Sequence, residues 1–146
     1  MRRINHIIFH CSATRADCDY SVEALRRDHI KRGFKGIGYH FYITRDGQTH
    51  TTRPIEQAGA HCRGHNRHSI GICYEGGLNP DGSPADTRTE AQRKAMHQLT
   101  AGLLKIYRNA RLCGHRDLSP DRNGNGKVEP DEWLKLCPCF DVATAL

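Results

Sequence analysis

The chain of 146 residues has no apolar run approaching the length of a membrane span, which requires about 20 consecutive apolar residues. It also lacks Gly/Ser-rich or Pro-rich linkers, internal repeats and low-complexity tracts, so nothing marks a seam between modules. Residues 1–146 are therefore read as one domain, long enough to bury roughly two-thirds of the surface its unfolded form exposes. The opening residues, MRRINHIIFHCSAT, are basic. Their apolar stretch IIF is far too short for a signal-peptide core. This predicts synthesis in the cytoplasm without a Sec-type address and no membrane association.

Two local metal motifs are missing as well: there is neither an HExxH helix nor a CxxC pair. Seven cysteines are an odd number, which excludes a fully paired disulfide framework. Without a secretion signal, reduced thiols or metal ligands are favoured. Ten histidines in so short a chain strengthen the metal reading. The net charge of +6 suits a polyanionic partner, but Lys and Arg are scattered rather than clustered, apart from pairs such as Arg26-Arg27. A nucleic-acid surface would concentrate them. An acidic wall polymer fits the charge equally well.

The periodicity predicts an α/β domain, with a central mixed β-sheet flanked by α-helices. INHIIFHCS is apolar and β-branched with no helical period, so a buried strand is expected over about residues 4–10. Ser21 is placed to cap a helix whose stripe is Val22, Leu25 and His29, with Gly33 as its stop. IGYHFYIT and QTHTTRP, joined at Asp46-Gly47, read as a hairpin. In that strand His40 should face away from Tyr39. SIGICYEGG is a second buried strand. The longest helix is expected from about Thr89 to Tyr107, on a stripe of Met96, Leu99, Leu103 and Ile106. ARLCGH is a last strand, and EPDEWLKL a short helix opened by an acidic, Pro-containing turn.

A catalytic zinc takes three protein ligands and leaves a fourth position open. With no local motif, the ligands must come from the ends of separate strands. His10, His115 and a cysteine of CPCF, either Cys137 or Cys139, are the candidates. Cys11, beside His10, should point to the opposite face as a core thiol, while Cys73 and Cys113 behave as small buried hydrophobes.

Five segments occur in fixed order: FHCSAT (9–14), GYHFYITRDG (38–47), GAHCRGHNRHSIGICYEGG (59–77), GHRDLSP (114–120) and KLCPCFDV (135–142). Together they resemble the type-2 N-acetylmuramoyl-L-alanine amidases, a superfamily that includes the peptidoglycan recognition proteins. The small phage lysozyme-type branch is the most similar. The resemblance implies zinc held by His10, His115 and Cys137, and catalytic roles for Tyr39 and Lys135. Zinc would polarise the lactyl carbonyl and activate water, Tyr39 would handle the proton and Lys135 would stabilise the oxyanion. Recognition-only members typically lose the zinc cysteine, and this chain keeps it. His61 resembles a histidine lining the family's substrate groove, and Asn66 of the same motif holds that loop or touches substrate. The implied substrate is peptidoglycan or its muropeptides, cut by a monomer that needs neither nucleic acid nor membrane. Lack of an export signal then fits a phage or prophage endolysin released to the wall, or an enzyme of recycled wall fragments. The alternative within the family is a non-catalytic peptidoglycan binder.

DRNGNGKVEPDE (121–132) follows the pattern of an EF-hand calcium loop. Asp121, Asn123 and Asn125 take the first, third and fifth positions, Gly126 the sixth, Lys127 the carbonyl-donating seventh, and Glu132 the twelfth. No entering helix is expected before it. The loop reads as an insertion in the amidase domain, with calcium as a structural ion. A rival class, a calcium- or nucleic-acid-binding module, would show DNA retention that falls steeply with salt.

Overall fold

The computed structural model describes residues 2–120, 122–126, 128, 130, 133 and 136–146. Strands β1 (His6–Cys11), β3 (Phe41–Ile43), β4 (Thr49–Thr51), β5 (Ser69–Tyr74) and β7 (Arg111–Gly114) form one sheet in the order β4-β3-β5-β1-β7. Every pairing in it is parallel except the β3–β4 hairpin. This is the mixed sheet expected of the sequence. A two-residue ladder joins β2 (Thr14–Arg15) to β6 (Gly77–Leu78) beside it.

Strand β1 lies between β5 and β7, and residues 7–11 are buried. Alternation divides its side chains between two faces. Ile7, Phe9 and Cys11 join Ile70, Ile72 and Tyr74 of β5 in one core, packed against helix α2 (Glu90–Ile106) and the short helix α3 (Val142–Ala145). Cys73 and Tyr42 face the other way, onto Leu25 of helix α1 (Val22–Lys31). No helix among the described residues is long and apolar enough to cross a membrane.

Both main helices begin where capping chemistry predicts. The Ser21 hydroxyl accepts from the Ala24 N–H at 3.1 Å. Thr89 and Gln92 form a reciprocal capping box, satisfying two otherwise orphaned donors. Gln92 is fully buried and donates to the carbonyls of Ile43 and Glu75 at 3.1 and 3.0 Å. It therefore ties α2 to the ends of β3 and β5. Gly33, at φ +93, ends α1 as expected.

Several expectations are corrected. The expected stripe of α2 fails at Ile106, which is 68% exposed at the helix's last turn, whereas Ala95, Met96, Thr100 and Leu103 are buried. The core contact continues instead through Leu103, Leu104 and Tyr107, which leaves Ile106 on the outer face. The strand containing Tyr39 and His40 starts only at Phe41, so strand alternation does not separate these two side chains. Both rings instead approach His61, at 6.3 and 5.9 Å between centroids. GHRDLSP contains a 3-10 turn, His115–Leu118, and α3 was not anticipated. Cys73 is fully buried as expected, but Cys113 is only half-buried. Most of EPDEWLKL lies outside the described residues.

His40 is a buried polar group that ties the approach to β3 to β5 and to the loop at Gln57. Its Nδ1 accepts the Gly71 N–H at 3.1 Å and its Nε2 meets the Gln57 carbonyl at 2.8 Å. Burial pushes its pKa down to about 4. The unfolded histidine takes up its proton near pH 6.5, before the folded one does. Stability present above pH 6.5 is therefore lost as the pH falls towards 4. Urea unfolding of the metal-free protein at a series of pH values should show a decline across this window, to which His40 contributes on the order of 2 kcal/mol beside the other buried histidines. A flat profile across that window would contradict the assignment.

Candidate metal centre and adjoining cleft

Parallel register brings the first two candidate ligands together. Phe9 of β1 pairs with Gly114 of β7, so the next residues, His10 and His115, leave the carboxyl ends of adjacent strands side by side. Their ring centroids are 4.8 Å apart. His10 is buried and His115 half-buried.

The third candidate arrives from the other end of the chain, on a segment held from several sides. The Arg116 N–H donates to the Cys137 carbonyl at 2.9 Å, and the Tyr74 hydroxyl donates to the Pro138 carbonyl at 2.7 Å. Phe140 is buried against Phe9 and Tyr74, with the Arg88 guanidinium 3.5 Å from its ring centroid. Gly114 leaves room for the proline: a Cβ there would lie 2.6 Å from Pro138 Cδ. As a result the ligand atoms of His10, His115 and Cys137 all lie within 4.8 Å of one another.

The geometry separates the two rival cysteines. Cys137 Sγ lies 3.9 Å from His10 Nδ1 and accepts the Cys11 N–H at 3.2 Å. Cys139 Sγ lies 4.0 Å from Cys11 Sγ, which belongs to the core face. The expectation that both thiols share a side assumed an extended segment. Cys139 instead adopts φ +68, in the left-handed region, and its side chain is turned towards Cys11.

Two imidazole nitrogens and a thiolate form a donor set suited to zinc. The Cys11 amide is a further element of the site, since an N–H donated to sulfur favours the thiolate. Sequence reading passed over it because a backbone donor has no side-chain signature. Among the described residues this is the only grouping of His, Cys, Asp and Glu side chains suited to a metal. For the calcium-like loop, Asp121, Lys127 and Glu132 lie outside the described residues, as does Lys135. Asn123 and Asn125 are exposed, and the Asn125 N–H donates to Asn123 Oδ1 at 3.1 Å. Gly126 has the positive φ (+84) that the sixth loop position demands.

Tyr39 borders the centre, its ring 5.0 Å from that of His10. The neighbouring backbone is held from two sides. The Gly38 N–H donates to His29 Nδ1 at 2.9 Å, and the Thr52 hydroxyl donates to the Tyr39 carbonyl at 2.7 Å. Burial raises the Tyr39 phenol well above its ordinary pKa; the proton is present at neutral pH even without that shift. His61 lies on the other side of His10, with Nδ1 at 2.8 Å from His10 Nε2. Burial, reinforced by the nearby His40 and His115, pulls its pKa down to about 3. Asn66 spends its Oδ1 on the N–H groups of His61 and Cys62, both at 2.9 Å, which makes it a loop fastener. His61, Asn66 and His115 line a cavity of about 500 Å³, shared with Arg32, Arg63 and Ser119.

This arrangement can be set beside known proteins. The sequence model of the N-acetylmuramoyl-L-alanine amidase family, Amidase_2, matches residues 1–132. The chain belongs to that family. The endolysin of Klebsiella phage KP32 is 36% identical over 138 residues, covering 94% of this chain and 82% of the relative. Among solved structures, the N-acetylmuramoyl-L-alanine amidase LysC from Clostridium intestinale superposes with a TM-score of 0.74 at 26% identity, covering 96% of this chain and 79% of LysC. A point mutant of the Drosophila peptidoglycan recognition protein PGRP-LB, in complex with tracheal cytotoxin, superposes at 0.71 with 25% identity, covering 97% and 79%. The amidase family therefore supplies the fold and the resemblance read from the motifs.

Gly114→Ala should displace Pro138 and draw Cys137 away from the two histidines, whereas Cys139→Ser should leave the three donors in place. Titration with Co²⁺, followed through thiolate-to-cobalt absorption, checks both. The band should weaken in Gly114→Ala and persist in Cys139→Ser. Loss of the band in Cys139→Ser would assign the sulfur ligand to the wrong residue.

Proposed function

We propose that this protein hydrolyses the amide bond between the lactyl group of N-acetylmuramic acid and L-alanine in peptidoglycan, using zinc held by His10, His115 and Cys137. The observation that carries this reading is the convergence of those three donors within 4.8 Å, beside a cavity, in a chain of the amidase family. Zinc bound there supplies Lewis acidity towards the scissile carbonyl and lowers the pKa of a water towards neutrality.

The remaining roles belong to the chain. His10, His115 and the Cys137 thiolate, supported by the Cys11 amide, hold the metal. Tyr39, protonated at neutral pH like any phenol, serves as a hydrogen-bond donor beside His10, where charge develops on the substrate. Lys135, two residues before Cys137, is assigned to the oxyanion on the strength of the resemblance. The stem peptide would lie in the cavity lined by His61 and Asn66. Arg32 and Arg63 give that lining positive charge, which suits the carboxylates of a stem peptide.

Relatives called endolysins, at 34–36% identity over more than nine-tenths of the chain, support wall lysis as the biological setting. Fold kinship with a peptidoglycan recognition protein supports the second reading, binding without turnover. The retained Cys137 favours the first.

Incubating the zinc-loaded protein with peptidoglycan and following new L-alanine amino termini by mass spectrometry separates the two readings. Release is expected from wild type, none from Cys137→Ser, and a rate roughly 10²-fold lower or more from Tyr39→Phe. Retention on peptidoglycan without any release would establish the binder and remove the catalytic roles of Tyr39 and Lys135.

A further inference from the structure

His10 uses its two ring nitrogens differently. Nδ1 faces Cys137 Sγ at 3.9 Å, while Nε2 lies 2.8 Å from Nδ1 of His61. A nitrogen that ligates a metal must be unprotonated, so a neutral His10 that presents Nδ1 to the metal carries its proton on Nε2. His61 Nδ1 must then be the acceptor, which places the His61 proton on Nε2. That nitrogen lies 3.3 Å from the Ser69 hydroxyl oxygen, which can accept it. The directions of all three groups are mutually consistent.

The His61 ring is also held in place by its surroundings. It lies over Gly71 of β5, where a Cβ would come within 2.7 Å of the ring, and against Gly59, where one would come within 2.5 Å. Its backbone N–H is fixed by Asn66 Oδ1 at 2.9 Å. Two glycines, a serine and an asparagine thus fix the position of one imidazole.

We infer that His61 is a positioning residue of the metal centre, accepting the Nε2–H of His10 and so holding His10 in the tautomer and orientation that present Nδ1 to zinc. This goes beyond the expected role of His61 as a groove residue, and it rests on the zinc-centre reading above. Outer partners of ligating histidines fix ring orientation and tautomer, and losing one typically weakens metal binding about 10- to 100-fold.

The test compares zinc affinity, by competition with a chromophoric chelator, for wild type, Cys137→Ser, His61→Leu and His61→Asn. Thermal melts of the metal-free proteins verify that each is folded. Asn can present an oxygen where His61 presents Nδ1; Leu cannot. Affinity should fall about 10- to 100-fold in His61→Leu and stay within about threefold of wild type in His61→Asn. Long-range ¹H–¹⁵N NMR of the zinc-loaded wild type should place the His10 proton on Nε2. The inference is overturned by a proton on Nδ1, by a folded His61→Leu that binds zinc like wild type, or by His61→Asn losing zinc as fully as Cys137→Ser. The last result would make His61 a ligand. Undiminished binding in Cys137→Ser would instead overturn the zinc-centre reading itself, and this inference with it.

Discussion

The parallel pairing of β1 with β5 on one side and β7 on the other is the constraint from which the site follows. Backbone hydrogen bonds fix the register, and the register decides what stands beside what. Phe9 opposite Gly114 makes His10 and His115 neighbours. Ile8 opposite Gly71 leaves a bare patch of backbone, and the His61 ring settles there. A slip of one residue would exchange the faces of β1 and send His10 into the apolar core now filled by Phe9 and Cys11.

The centre sits where a close-packed apolar sheet ends, and its polar groups are kept neutral by that setting. Burial lowers the pKa values of both His40 and His61, and each has hydrogen-bond partners that replace water. An unpaired buried imidazole would cost stability. Satisfied, uncharged rings beside the centre spare a bound cation the repulsion that protonated ones would impose. The same burial raises the Tyr39 phenol, which is protonated at neutral pH in any case.

Much of this was legible in the sequence because it is local. Ser21 and Thr89 announce their helices through capping, Asp46-Gly47 announces the hairpin, and the apolar runs of β1 and β5 announce buried strands. The candidate histidine ligands were legible as residues at strand ends. What was hidden depends on backbone paths that no periodicity encodes. The choice between Cys137 and Cys139 turns on one left-handed residue, and spacing alone would have left both facing the site. The nearness of Tyr39 and His40 to the same ring reflects a strand that starts later than its β-propensity suggests. The contact of His61 with His10 requires a loop to fold back over a glycine of β5. The exposure of Ile106 shows another failure: the buried stripe steps from Leu103 to Tyr107 and not to Ile106.

The order in which such a centre is assembled has a consequence of its own. His10 and Cys137 are 127 positions apart, so their approach closes a loop that spans nearly the whole chain. The equilibrium cost of that length is modest, since each doubling adds only about 0.6 kcal/mol. The kinetic effect is larger, because contacts of such sequence separation slow folding: the loop must close before the contact rewards it. A chain whose sheet has formed but whose Cys-Pro-Cys segment has not docked offers two of the three donors. The three-donor set is therefore complete only once that segment has docked.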